Sequence, residues 1–239
     1  MLYLIGLGLD LKDISLKAIE AIKKCDLIYF ENYTNVMSFS IKQIEKVIKK
    51  KIKIADRKFV EENKEILENA KHKKVALLIS GGPLAATTHI DLMLRAKKEK
   101  VKLEVIHSVS VFTAIAETGL QLYKFGKTTS IAKWQPNFKP ESFYDIIKEN
   151  ESIGAHSLVL IDIGLKVKDA LGYIESIAIA RDLGMLDKKI VVCENLGTSK
   201  QKFTAGRIPS LLKLKFSLPA CIIIPGKLHF MEEEALSML

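Results

Sequence analysis

Glycines that follow apolar runs are the first residues in this chain with a chemical use. Gly6 and Gly8 follow the run at residues 2–5, and Gly81, Gly82 and Pro83 follow residues 75–79. A glycine turn at the end of a buried strand lets backbone N–H and C=O groups approach a ligand closely. Gly6-Leu7-Gly8 opens like a dinucleotide-binding fingerprint, but the third glycine of that pattern belongs at position 11, where Leu11 stands. Gly126-Lys127-Thr128 ends like a phosphate loop, yet Gln121 occupies the place of its first glycine and a β-rich segment follows, which excludes a P-loop. The histidines at 72, 89, 107, 156 and 229 show no metal-ligand spacing, and no Gly-x-Ser-x-Gly elbow occurs. Cys193 and Cys221 lie beside apolar residues and Cys25 falls at helical spacing after Ala21 and Ile22, all without a Cys-x-x-Cys, as buried free thiols do. No metal site is expected. His229 is the one histidine at a chemically useful place, because Pro225-Gly226-Lys227-Leu228-His229 follows the apolar run 220–224. Ligands of open α/β sheets bind at strand C-terminal ends. The same argument collects residues 6–9, 81–86, 107–111, 162–164 and 194–198 into one expected crevice lined by backbone groups.

The elements that must position these turns follow from periodicity. Strands are expected at residues 2–7, 27–30, 51–54, 75–80 and 103–106. Between them Ile14, Ala18, Ala21, Ile22 and Cys25 recur at helical spacing after Asp13, a competent N-cap, and further helices fit Ile41, Ile44 and Ile48, then residues 60–70 and 88–98. This βαβα order predicts a parallel sheet with helices on both faces. From about residue 110 the pattern changes. A helix over 111–117 ends at Gly119, a loop at 133–140 holds the only Trp, and strands at 128–132, 157–163, 189–194 and 220–224 alternate with helices at 141–150 and 168–183. The expected architecture is α/β, with an N-terminal domain over 1–109 and a C-terminal one over 110–239.

Composition limits the function classes. With 48% hydrophobic and 27% charged residues among 239, the chain has enough apolar surface to form a core. Its apolar runs are too short to span a bilayer, and Asp10, Lys12 and Asp13 break the start of the chain, so a cytoplasmic protein without membrane contact is expected. The net charge is +9, but only Arg57, Arg95, Arg181 and Arg207 among the 37 basic residues are arginine. Base readout and phosphate clamping favour Arg, and many lysines alternate with acids, as in Lys97-Lys98-Glu99-Lys100. Nucleic acid is therefore not the expected partner; the charge suits attraction to an acidic macromolecule.

Several segments carry a resemblance over nearly the whole chain: Tyr3-Leu4-Ile5-Gly6-Leu7-Gly8-Leu9, Glu31-Asn32-Tyr33-Thr34, Pro83-Leu84-Ala85-Ala86-Thr87-Thr88-His89, residues 119–127, residues 144–150, and Ile224-Pro225-Gly226-Lys227-Leu228-His229. In these the sequence resembles the diphthine synthases of the tetrapyrrole methylase-like class. The resemblance implies two α/β domains with a cofactor cleft between them, a homodimer, and S-adenosyl-L-methionine as cofactor. It implies methylation of the amino group of the modified histidine of translation elongation factor 2, in diphthamide biosynthesis. Carried over by position, cofactor contacts fall at Leu9, Gly82, Ala85, Ser110, Val111, Ile161, Leu196 and His229; no catalytic base is identified. Two departures stand out. The family carries Gly-Asp-Pro where Gly81-Gly82-Pro83 stands, and Ala-Arg-Ala-Gly where Glu194-Asn195-Leu196-Gly197 stands. Two other readings stay open: methylation of a tetrapyrrole or other small molecule on the same fold, and cofactor binding without activity.

Overall fold

The first apolar run forms strand β1 (Leu2–Gly6), buried along its whole length. In the computed structural model, which describes residues 1–37 and 39–239, it is followed by α1 (Leu16–Lys23), β2 (Leu27–Glu31), α2 (Ile41–Ile48), β3 (Lys53–Ala55), α3 (Arg57–Glu61), α4 (Glu65–His72), β4 (Val75–Ile79), α5 (Ile90–Lys98) and β5 (Leu103–Ile106). These strands form one parallel sheet of order β3-β2-β4-β1-β5. Alternation along β1 sends Tyr3 and Ile5 to one face, against Ala18 and Ile22 of α1 and Ile44 and Ile48 of α2. Leu2 and Leu4 face the other way, against Ile66 and Ala70 of α4 and Leu92 and Ala96 of α5. A parallel sheet covered on both faces is the arrangement the continuous apolar runs require.

Two local expectations change. The N-cap of α1 is Ser15, whose hydroxyl accepts from the Ala18 amide, whereas Asp13 closes a 3-10 turn (Leu11–Asp13) capped by Asp10. The single helix expected over 60–70 is two, because Asp56 accepts from the Phe59 amide at 2.8 Å and starts α3 early.

Helix α6 (Val111–Ala114) carries the chain from a first compact unit, Met1–Thr113, into a second, Ala114–Leu239. The second contains β6 (Thr129–Ile131), α7 (Ser142–Ser152), β7 (Ser157–Ile161), α8 (Val167–Arg181), β8 (Ile190–Glu194), β9 (Lys202–Gly206), α9 (Ile208–Leu211), β10 (Ala220–Ile224) and α10 (Phe230–Ser237). Its sheet, of order β6-β7-β10-β8-β9, is mixed: β6 and β7 are parallel, β10 runs antiparallel to both β7 and β8, and β9 is antiparallel to β8. Helices α7, α8 and α9 bury Ile147, Ile174 and Leu211 against Val159, Val192 and Ile222. No helix among the described residues is long and apolar enough to cross a membrane.

The reversed direction of β10 removes the strand-end argument that grouped His229 with the other turns of this sheet. Ile224 pairs with Ser157, the first residue of β7, and Cys221 pairs with Leu160 near its end. His229 therefore leaves the sheet at the edge opposite to the one at which Ile161 and Leu196 emerge.

Candidate functional site

In the first unit three neighbouring strand ends are pressed together. The Gly8 amide donates to Gly81 O at 3.2 Å and the Gly81 amide to Gly8 O at 2.8 Å, joining the turns after β1 and β4. Both glycines have positive φ, +80° and +73°, a region that glycine enters without strain. A Cβ on Gly6 would lie 2.6 Å from Gly81 O and 2.8 Å from Pro83 Cδ, so only a hydrogen fits there. Asp13, expected as a helix cap, instead folds its carboxylate back: its Oδ2 accepts from the amides of Leu9 and Asp10, each at 2.9 Å. The carboxylate thus fixes the backbone at Leu9.

Gly82 sits at the centre of this cluster. A Cβ there would lie 3.2 Å from Ala85 Cβ and 3.3 Å from Ser110 Cβ, and a Cβ on Gly81 would lie 3.9 Å from Leu9 Cδ2. The fold therefore gathers Leu9, Gly82, Ala85 and Ser110, with Val111 next in sequence at the start of α6. None of these carries a charge, so the site is built from backbone groups, small side chains and one hydroxyl.

Ala86, beside this cluster, has φ +56°. A left-handed alanine costs about 1–2 kcal/mol, and such strain persists where the surroundings over-determine the backbone. Replacing Ala86 with Gly should raise stability by about 0.5–1 kcal/mol, the relief exceeding the extra chain entropy of glycine. Chemical denaturation measures this; a less stable variant would mean that Ala86 is unstrained.

In the second unit Ile161 ends β7 half-buried. Leu196 is buried just after β8, between Asn195 at φ +49° and Gly197 at φ +72°. Antiparallel pairing of both β7 and β8 with β10 brings them to one edge. His229, exposed at the other edge, is the N-cap of α10: its Nδ1 accepts from the Met231 amide at 3.4 Å.

The most heavily bonded ionisable group of the second unit was not expected from sequence. Glu232 is 0% exposed and accepts from the amides of Gln121 at 2.9 Å and His229 at 2.8 Å, from His156 Nε2 at 3.0 Å, and from Lys124 Nζ. His156 Nδ1 accepts from the Gly226 amide at 2.9 Å, which leaves its proton on Nε2, facing Glu232. Burial pushes the Glu232 carboxyl up, but Lys124, the two amides and His156 outweigh it and hold it at about 2. Burial also pushes His156 below the usual imidazole range, against the pull of Glu232. Lys124 Nζ donates further to Lys227 O at 2.7 Å, and Asn150 clasps Lys127 through Oδ1 at 2.9 Å and Nδ2 at 2.8 Å. The motif segments 119–127, 144–150 and 224–229 are thus tied to one another as a polar scaffold. Glu232 escapes sequence reading because Glu232-Glu233-Glu234 looks like a solvated helix face.

Residues 1–212 match the family of Tetrapyrrole (Corrin/Porphyrin) Methylases. The chain is 43% identical to the diphthine synthase of Methanococcus aeolicus over 251 aligned residues, covering 100% of this chain and 98% of that protein. It is 48% identical to the diphthine methyl ester synthase of Schizosaccharomyces pombe over 168 residues, 70% of this chain and 59% of that one. A crystal structure of diphthine synthase superimposes with a TM-score of 0.91 at 34% identity, over 100% of this chain and 95% of the other.

Proposed function

Because the chain belongs to the tetrapyrrole methylase family and, within it, to the diphthine synthases, we propose that it is an S-adenosylmethionine-dependent methyltransferase of diphthamide biosynthesis. Its acceptor in this reading is the amino group of the modified histidine of translation elongation factor 2, and it works as a cytoplasmic homodimer. The observation that carries the reading is the gathering of Leu9, Gly82, Ala85 and Ser110 around three adjacent strand ends, in a chain alike to diphthine synthases over its full length.

These residues fit the cofactor. Glycines at 6 and 8 let the turns close on one another and on Asp13, and half-buried Leu9 and Ala85 offer apolar contact to a flat ring. The Ser110 hydroxyl and the turn backbone supply polar partners. Ile161, Leu196 and His229 are the second unit's contributions carried over from the family. When bound, S-adenosylmethionine supplies a methyl group on a sulfonium, open to direct displacement. Such a reaction asks the protein mainly for position, worth up to about 7–11 kcal/mol, and an amine reacts only in its unprotonated form. Here Asp13 fixes Leu9, and the Gly8–Gly81 pair locks two of the three turns, so bonds within the fold hold this surface in place.

Calorimetric titration with S-adenosylmethionine or its demethylated product tests the binding step; no heat and no thermal shift at millimolar ligand overturns it. Transfer of labelled methyl to elongation factor 2 carrying the unmethylated side chain, with a tetrapyrrole acceptor in a parallel reaction, then tests the substrate. The name of the S. pombe relative gives this assay one more arm. A methyl ester is lost in mild alkali and an N-methyl group is not, so label that survives base assigns the amine.

A further inference from the structure

Two side chains of the run Thr87-Thr88-His89 reach back to a single carbonyl. Thr87 Oγ1 donates to Pro83 O at 2.9 Å, and His89 Nδ1 lies 3.2 Å from the same oxygen. A carbonyl only accepts, so Nδ1 carries the proton and Nε2 keeps a lone pair. That Nε2 is buried without a hydrogen-bond partner, and the residue is 1% exposed, with the Tyr33 ring centroid 6.2 Å away. Burial holds the ring neutral, below the usual imidazole range, although the Glu31 carboxylate pulls the other way. An unpaired buried nitrogen is costly and rare. A phenyl ring would fill the same space but could not make the bond to Pro83 O.

Between the clamped carbonyl and the side chains that clamp it lie Ala85 and the left-handed Ala86, and Gly82 immediately precedes it. The Ala85 amide donates to Gly82 O at 3.1 Å and closes the turn. We infer that His89, together with Thr87, is a positioning residue for the cofactor site: by holding the Pro83 carbonyl it fixes the 82–86 turn in the conformation that receives the ligand. The purpose of the clamp rests on the cofactor reading above; the clamp itself does not.

The test compares variants that keep or lose the bond. The amide of Asn reaches the position of Nδ1, whereas that of Gln reaches the position of Nε2. His89→Gln and Thr87→Val should each speed hydrogen exchange at the Ala85 amide of the ligand-free protein and weaken S-adenosylmethionine binding roughly five- to tenfold, the worth of one buried hydrogen bond. His89→Asn and Thr87→Ser should stay within about twofold of wild type, since each restores the donor. Unchanged Ala85 exchange in His89→Gln and Thr87→Val overturns the clamp, as does an Asn variant that behaves like Gln. Should either His89 variant fail to fold, the Thr87→Val and Thr87→Ser pair decides the question alone. A wild type that binds no cofactor defeats the reading of the site, while the exchange data still decide the clamp.

Discussion

Replacing Glu232 with Gln should destabilise the second unit by about 3 kcal/mol at pH 7, the usual consequence of breaking a buried ion pair from one side. The variant keeps the shape of the side chain but leaves the Lys124 ammonium without its counter-charge, and it presents an amide where four donors converge. The loss should lower the thermal midpoint on the order of 10 °C. The pH dependence identifies the cause. The folded carboxyl sits at about 2 against an ordinary 4.5, so its stabilising contribution is whole above pH 4.5 and fades as pH falls toward 2. Wild type and variant should therefore converge across that window. His156 acts in a higher window with the same sign: its depressed folded pKa makes its contribution whole above about 6.5, lost as pH falls below it. Thermal melts of both proteins at pH 7 and pH 3 measure this. Equal midpoints at pH 7 would remove Glu232 from the scaffold.

The first unit is legible in its residues because the inner strands β1 and β4 of its parallel sheet are covered on both faces and read as continuous apolar runs, as at Val75–Ile79. The second is only partly so. The run Ala220–Ile224 is apolar in either direction, and nothing in five such residues records that the strand is antiparallel to its neighbours. The strand-end argument for His229 assumed a direction that residue types do not encode, whereas its assignment by family motif does not depend on one. Strand β9, Lys-Phe-Thr-Ala-Gly, escapes because an edge strand with partly exposed residues lacks both the continuous run and a clean alternation. Helix α10 escapes because its buried positions include an acid. At the site the glycines are legible as turns, since close approach of two backbones demands that residue type, but their partners are not. Asp13 stands where a helix cap belongs, and only the fold shows that its carboxylate turns back on Leu9. Thr87 and His89 mark the family in sequence, yet their shared acceptor, Pro83 O, is a backbone atom that leaves no trace in the residue pattern.

Gly82→Asp should tighten S-adenosylmethionine binding by about tenfold or more while lowering the stability of the ligand-free protein by about 1 kcal/mol. The backbone admits the change: Gly82 lies outside the left-handed region in which its neighbour Gly81 is held, and Pro83 biases the residue before it toward extended conformations that aspartate adopts freely. Space is the opposing term. The new Cβ would stand 3.2 Å from Ala85 Cβ and 3.3 Å from Ser110 Cβ, so both neighbours must yield by a few tenths of an ångström. Ala85 is half-buried on a turn and can shift, whereas Ser110 is buried at the start of α6; the strain should cost about 1 kcal/mol. Against it, a carboxylate hydrogen-bonded to a cationic ligand contributes about 1.5–3 kcal/mol, and the wild-type cluster offers that ligand no charge at all. Gly82→Asn separates the two terms. It carries the same strain without the charge, so it should lose stability like Asp and bind no more tightly than wild type. Parallel titrations and melts of the three proteins at one pH and salt concentration decide the matter. Aspartate binding at or below the wild-type level would mean that Ser110 does not yield, and that the glycine at 82 is required by packing rather than being a lost contact.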